Sequence, residues 1–223
     1  MPLPMVHLSV AKNILEAGFK LSDASQFYLG SVSPDAIHMR QKPDRLTKND
    51  THLIPAGQKW STIDDTEYFS FMINFIDEKK DYTDMSFLWG YGLHILTDMY
   101  WTKLVYSNFI ENYKKDPSPI QDERWAYYND TDILDQVLFN ESRWKNIVWQ
   151  GLQGVKCSDF FDLLTAQEIN AWKERTLHWY DSGESQHKNP IRYITKTDIE
   201  KFVDQCSEII RYKLVTSGYV GPK

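Results

Sequence analysis

Apolar positions recur along the chain at the three-to-four-residue spacing of helices, and no stretch alternates apolar with polar residues long enough to make a strand. A first helix is expected from Val6 to Gly18, with Val6, Val10, Ile14 and Leu15 on one face and Gly18 closing it. A short helix is expected from Asp23 to Gly30. Another should start at Ser33-Pro34-Asp35, with Ser33 as N-cap and Pro34 in the first turn. From Arg40 to Trp60 the pattern turns polar, with Pro43, Pro55 and Gly57, and reads as a functional loop of about 20 residues. Helical spacing returns from Asp64 to Lys80 and runs through a long central segment, Met85 to Tyr113. Asp116-Pro117-Ser118-Pro119 then breaks the chain. Trp125 to Gln153 is again helical in pattern, with an interruption expected near Asn129. Capping boxes at Thr165 to Glu168 and Thr197 to Glu200 open two more helices, the last running to Gly218, with a polar loop from Asp181 to Asn189 before it. The expectation is an all-α, multi-helix fold in which residues 1–223 form a single metal-binding domain.

The central segment departs from an ordinary amphipathic helix. Gly90-Tyr91-Gly92-Leu93-His94-Ile95-Leu96-Thr97-Asp98 lies within a run that is apolar nearly all round, which is the mark of a buried helix. His94 and Asp98 are one helical turn apart, so both project from one face. A buried carboxylate and imidazole need partners, and a divalent metal is one. A His–Asp hydrogen bond that only stabilises the core is the other reading. Gly90 and Gly92 weaken a helix, so their presence points to close packing or ligand approach.

Composition narrows the functions open to such a domain. Apolar residues make up 42 % and aromatics 14 %, enough for a dense core. The net charge of −6 excludes nucleic-acid binding through a basic surface and electrostatic docking on anionic lipid. A phosphate-bearing substrate would need a local cation instead. The two cysteines, Cys157 and Cys206, form no CxxC pair, so a thiolate zinc site is excluded and two free thiols are expected. The N-terminal residues carry no basic region ahead of their apolar ones, and no stretch of about 18 apolar residues exists to span a membrane. A cytoplasmic protein is the expectation.

The remaining histidines are less telling one by one. Asp35 and His38 are one turn apart, but an acid there also complements a helix dipole. His52 lies in the polar loop. His7 shares a face with Ala11 and Ile14 and should point inward. Glu184-Ser185-Gln186-His187 occurs once and in loop-like sequence, whereas a di-iron bundle needs its Glu-x-x-His twice on helices. No Gly-rich phosphate loop, Gly-x-Ser-x-Gly, His-Glu-x-x-His or His-Asp dipeptide is present.

Taken in order, four blocks resemble the zinc-dependent phospholipase C family, whose fold is shared with S1/P1-type nucleases. They are Val6-His7-Leu8, Phe27-Tyr28-Leu29-Gly30-Ser31-Val32-Ser33-Pro34-Asp35, Thr51-His52 and His94-Ile95-Leu96-Thr97-Asp98, and they span the first hundred residues. The resemblance implies an all-helical hydrolase of phosphoric esters with a zinc cluster. By position it implies Asp35, His52, His94 and Asp98 as ligands of one zinc, with Asp98 bridging to a second held partly by His7. In the family the mature amino terminus completes that second site, and here Met1 precedes a proline. The chain departs from the pattern after Asp98: no histidine follows until His178, so the third-site His and His-x-x-x-Glu are missing. His38, His178, Asp181, Glu184 and His187 are the remaining candidates for that place. Asp35 is also the candidate proton relay; Trp89, Tyr91, Tyr100 and Trp101 could wall the cleft, with core packing the first reading for each. The expected ligand is a small phosphoester rather than bilayer lipid, since no interfacial helix is evident. The expected cofactor is one or two zinc ions. A non-catalytic protein keeping one structural metal is the alternative, because four protein ligands can close a zinc site.

Overall fold

A computed structural model describes residues 2–42, 45–185, 187 and 189–219. Among them the chain forms ten α-helices and no strand: α1 Pro4–Glu16, α2 Ala24–Gly30, α3 Arg45–Thr51, α4 Asp65–Lys79, α5 Met85–Trp101, α6 Ser107–Lys115, α7 Glu123–Glu141, α8 Lys145–Gly154, α9 Ala166–His178 and α10 Lys196–Thr216. Two 3-10 helices, Ser33–Met39 and Trp60–Thr62, and a π-helical turn, Thr102–Tyr106, complete the order. The π turn joins α5 to α6, so the expected long central helix is one continuous helical run with a π bulge inside it.

Helix α5 is the axis of the fold. Every residue from Ser86 to Trp101 is buried, as the all-round apolar pattern requires. Helix α2 crosses it at glycines. A Cβ on Gly90 would stand 2.1 Å from the Phe27 carbonyl oxygen, and one on Gly30 would stand 2.1 Å from that of Phe87. Only two glycines let these backbones meet. A Cβ on Gly92 would press on Met72 of α4 at 2.8 Å, so both α5 glycines serve close packing. Helix α1 packs on α7, α10 and α5, and α9 packs on the 3-10 helix Ser33–Met39.

Side-chain caps set many of the boundaries. Asp23, Asp64, Asp84 and Asp122 each accept from backbone N–H groups of the first turn that follows. The Thr165–Glu168 capping box opens α9 as expected. The last box is displaced: Thr195, not Thr197, caps α10, and Asp198 reaches back to it at 2.9 Å. Gly18 turns the chain after α1 at φ 95°.

Three further expectations need correction. Ser33 does not cap its helix: its hydroxyl donates to the Leu29 carbonyl at 2.7 Å, and the segment winds as a 3-10 helix. The polar stretch from Arg40 to Trp60 is not all loop. It holds α3, a helix too short and polar to show a period, which nevertheless buries Thr51 at its end and His52 just beyond. Helix α7 runs straight through Asn129, and the break falls at Ser142, where the backbone turns extended. Asn129 and its neighbour Asp130 look like loop residues because their polar side chains serve the segment before α10 from inside a helix.

No helix among the described residues is long and apolar enough to cross a membrane. Both cysteines are free.

Candidate metal centre

Asp98, on α5 and wholly buried, lies at the middle of a cluster drawn from four elements. Its Oδ1 is 3.6 Å from His7 Nε2 on α1. Its Oδ2 is 3.5 Å from His52 Nε2, at the end of α3, and 3.7 Å from His94 Nε2 on α5. Asp35, on the 3-10 helix, brings its Oδ1 to 3.4 Å from His52 Nε2. The structure therefore places His7, Asp35, His52, His94 and Asp98 together.

The backbone aims each ring. His94 Nδ1 donates to the Ser31 carbonyl at 2.8 Å, which leaves Nε2 unprotonated and facing the carboxylates. The glycine crossing of α2 and α5 puts that carbonyl within reach. His52 Nδ1 lies 3.0 Å from the Lys48 carbonyl, again directing Nε2 inward. The turn carrying His52 is held by the Tyr91 hydroxyl, which donates to the Thr51 carbonyl, and by the Tyr68 hydroxyl, 3.0 Å from that of Leu53. Leu53 itself sits at φ 48°, an unfavourable backbone for a branched residue, directly after His52. His7 stacks on His94 with ring centres 3.8 Å apart and planes 3° from parallel. The start of α1 is fixed by Asp135 of α7, which accepts the Met5 N–H at 3.1 Å.

The contacts inside the cluster are not hydrogen bonds. At 3.4–3.7 Å they are too long. Asp35 Oδ1, both oxygens of Asp98, Nε2 of His52 and His94 and both ring nitrogens of His7 are buried without a hydrogen-bond partner among the described residues. Such a concentration is expensive unless a cation enters. Tetrahedral ligands about 2.0–2.1 Å from zinc stand about 3.3–3.4 Å from one another, close to the spacing here. Two overlapping groups, His7 with His94 and Asp98, and Asp35 with His52 and His94, could each hold a metal ion.

Protonation agrees with that chemistry. Burial holds the His7, His52 and His94 imidazolium forms below their ordinary range, so the rings are neutral and carry free lone pairs. Burial raises Asp98 to about 6. Burial also acts to raise Asp35, but its contacts with His38 and His52 outweigh it and hold the carboxyl well below the usual range.

The other candidates lie elsewhere. His38 stands at the rim, its Nε2 3.6 Å from Asp35 Oδ1 and 3.3 Å from Lys48 Nζ. His178 pairs with Asp181 at 2.7 Å and His187 with Asp132 at 3.0 Å, and neither pair nor Glu184 belongs to the two groups above. Met1 lies outside the described residues.

The aromatics near His94 pack in the core, the first reading for each. Trp89, Tyr91, Tyr100 and Trp101 are all core residues; Trp101, for example, donates its ring N–H to the Tyr127 hydroxyl at 2.8 Å. The cleft beside Asp35 has a volume of about 390 Å³ and is walled instead by Tyr128, Trp172 and Trp179, with Lys48 and Arg175 at its edge. Trp172, Arg175 and Trp179 follow one another at helical spacing along and just past α9, a pattern that also reads as an ordinary core-facing stripe.

Compared with known proteins, the chain matches no family model, no curated protein and no solved structure, so the site rests on its own geometry.

Proposed function

We propose that the chain is a zinc-dependent hydrolase of small phosphoric esters, phospholipase C-like in its metal ligands, with residues 1–223 forming one metal-binding domain. His7, Asp35, His52, His94 and Asp98 would hold one or two zinc ions. The observation that carries this reading is the convergence of unpartnered, buried nitrogen and carboxylate oxygen atoms at ligand-to-ligand spacing. The ordered sequence blocks that resemble the zinc-dependent phospholipase C family support it independently.

Zinc supplies Lewis acidity, polarising a phosphoryl oxygen and acidifying water. The chain's own residues do the rest. The Ser31 and Lys48 carbonyls fix the tautomers of His94 and His52, keeping their Nε2 lone pairs on the cluster. Tyr68 and Tyr91 hold the His52 turn. Asp35 lines the cleft, with His38 beside it at the rim, and is the carboxylate placed to orient a nucleophilic water and relay its proton.

The test is turnover of p-nitrophenyl phosphate and bis(p-nitrophenyl) phosphate by zinc-reconstituted protein. Asp35→Asn should lower turnover by about 10²–10⁴-fold. A zinc-loaded chain that turns over no phosphoester would favour the second reading, a structural metal. That reading is supported by the complete burial of His52, His94 and Asp98.

A further inference from the structure

The cleft beside Asp35 has a charge pattern that the metal ligands do not explain. Its volume of about 390 Å³ suits a small ester rather than an acyl chain. Asp35 is its one lining carboxylate among the described residues, and the reading above assigns that group to the metal. What remains is cationic. Lys48 Nζ lies 3.3 Å from His38 Nε2, where an ammonium donates and the ring accepts. Arg175 is exposed, and its guanidinium carbon lies 5.3 Å from the Trp172 ring centre and 5.0 Å from that of Trp179. Contact with two rings leaves its N–H donors unpaired with any carboxylate among the described residues. A cation of the protein thus already lies against the two tryptophan rings, the side chains a quaternary ammonium group would seek. Beyond Arg175 the same wall continues into a second hollow of about 480 Å³, of mixed polar and apolar lining, where the carboxylates of Asp132 and Glu184 stand beside Gln136 and Ser182.

We infer that this cleft selects phosphoesters carrying a second negative charge, with Arg175 as the principal anion-binding residue and Lys48 as its companion, and that it rejects cationic headgroups. The inference rests on the phosphoester reading of the metal centre and adds to it the charge of the ester's other end. Arg175 does not touch the metal ligands, so it is a specificity residue whose removal leaves zinc content unchanged.

The test compares two probes of nearly the same shape, 3-phosphoglycerate and glycerol 3-phosphate, with phosphocholine as the cationic arm. Binding to zinc-loaded full-length protein is read by calorimetry and by quenching of tryptophan fluorescence, and zinc is assayed in the same samples. The expected result is about tenfold tighter binding of 3-phosphoglycerate than of glycerol 3-phosphate, with phosphocholine the weakest. Arg175→Gln should bring the first two within about twofold of each other, and Arg175→Lys, which keeps the charge but not the planar fork, should keep only part of the preference. A preference for phosphocholine, an unchanged ratio in Arg175→Gln, or no binding by a zinc-loaded chain overturns this inference alone. A chain that takes up no zinc overturns the metal reading and this inference with it.

Discussion

Asp130 and Asp98 are each almost entirely buried, at 1 % and 0 % exposure, yet the protein treats them oppositely. Asp130, on α7, accepts the backbone N–H groups of Tyr193 at 2.7 Å, Ile194 at 3.0 Å and Arg192 at 3.2 Å, and the Asn129 side-chain amide at 3.1 Å. Asp135, one helical turn further on plus one residue, accepts the Met5 N–H and the Tyr180 hydroxyl. Asp98 accepts nothing on either oxygen and faces three neutral imidazoles. Where a buried carboxylate serves architecture, this chain supplies donors from its own backbone. Where it does not, a cation could supply the missing partner. The burial is the same in both regions, and only the tally of partners separates a strut from a ligand.

The largest expected effect tests the architectural half of that contrast. Asp130→Ala leaves at least three backbone N–H groups unmet and should cost about 3–5 kcal/mol in urea unfolding, while zinc content per folded chain stays the same. An unstable variant that also lost its zinc would merge the two regions into one. Asp135 offers a pH signature. Burial raises its carboxyl to about 7, above its unfolded value, so the native state holds the extra proton between about pH 4 and 7. Its contribution to stability is complete below about pH 4 and is lost as the pH rises through 7. Wild type should therefore lose on the order of 3–4 kcal/mol over that window relative to Asp135→Asn, measured by unfolding at stepped pH. Parallel curves for the two proteins would refute the assignment. The smallest effect has the opposite sign. In chelator-treated protein, Asp98→Asn removes an unmet buried charge and should stabilise the fold by about 1–3 kcal/mol. Destabilisation would mean that Asp98 has protein partners after all.

Only the Asp98 half of this contrast can be read from the chain, for physical reasons. A pair one helical turn apart inside an apolar helix shows itself locally, which is why His94 and Asp98 stand out. The α5 glycines point to close packing because helices rarely tolerate them otherwise. His7, Asp35 and His52 come from three other elements, and only the order of the resembling blocks ties them to the pair. Short, polar α3 has no hydrophobic period, so its helical state is set by tertiary contacts through Thr51 and His52. The cleft is least legible. Trp172 and Trp179 have the spacing of core residues, while the aromatics beside His94, which look better placed, are consumed by packing. Whether an aromatic stripe faces core or cleft is decided by the partner it meets far along the chain. For α9 that partner is the 3-10 helix carrying Asp35 and His38.

The central claim is that a cation completes the Asp98 cluster, and zinc content per chain by elemental analysis, on wild type and Asp98→Ala, tests it most directly. The account predicts one or two zinc ions per wild-type chain and a sharp fall in the variant. A wild-type chain that remains zinc-free after reconstitution, with its fold intact, would contradict it and leave His94 and Asp98 as core architecture.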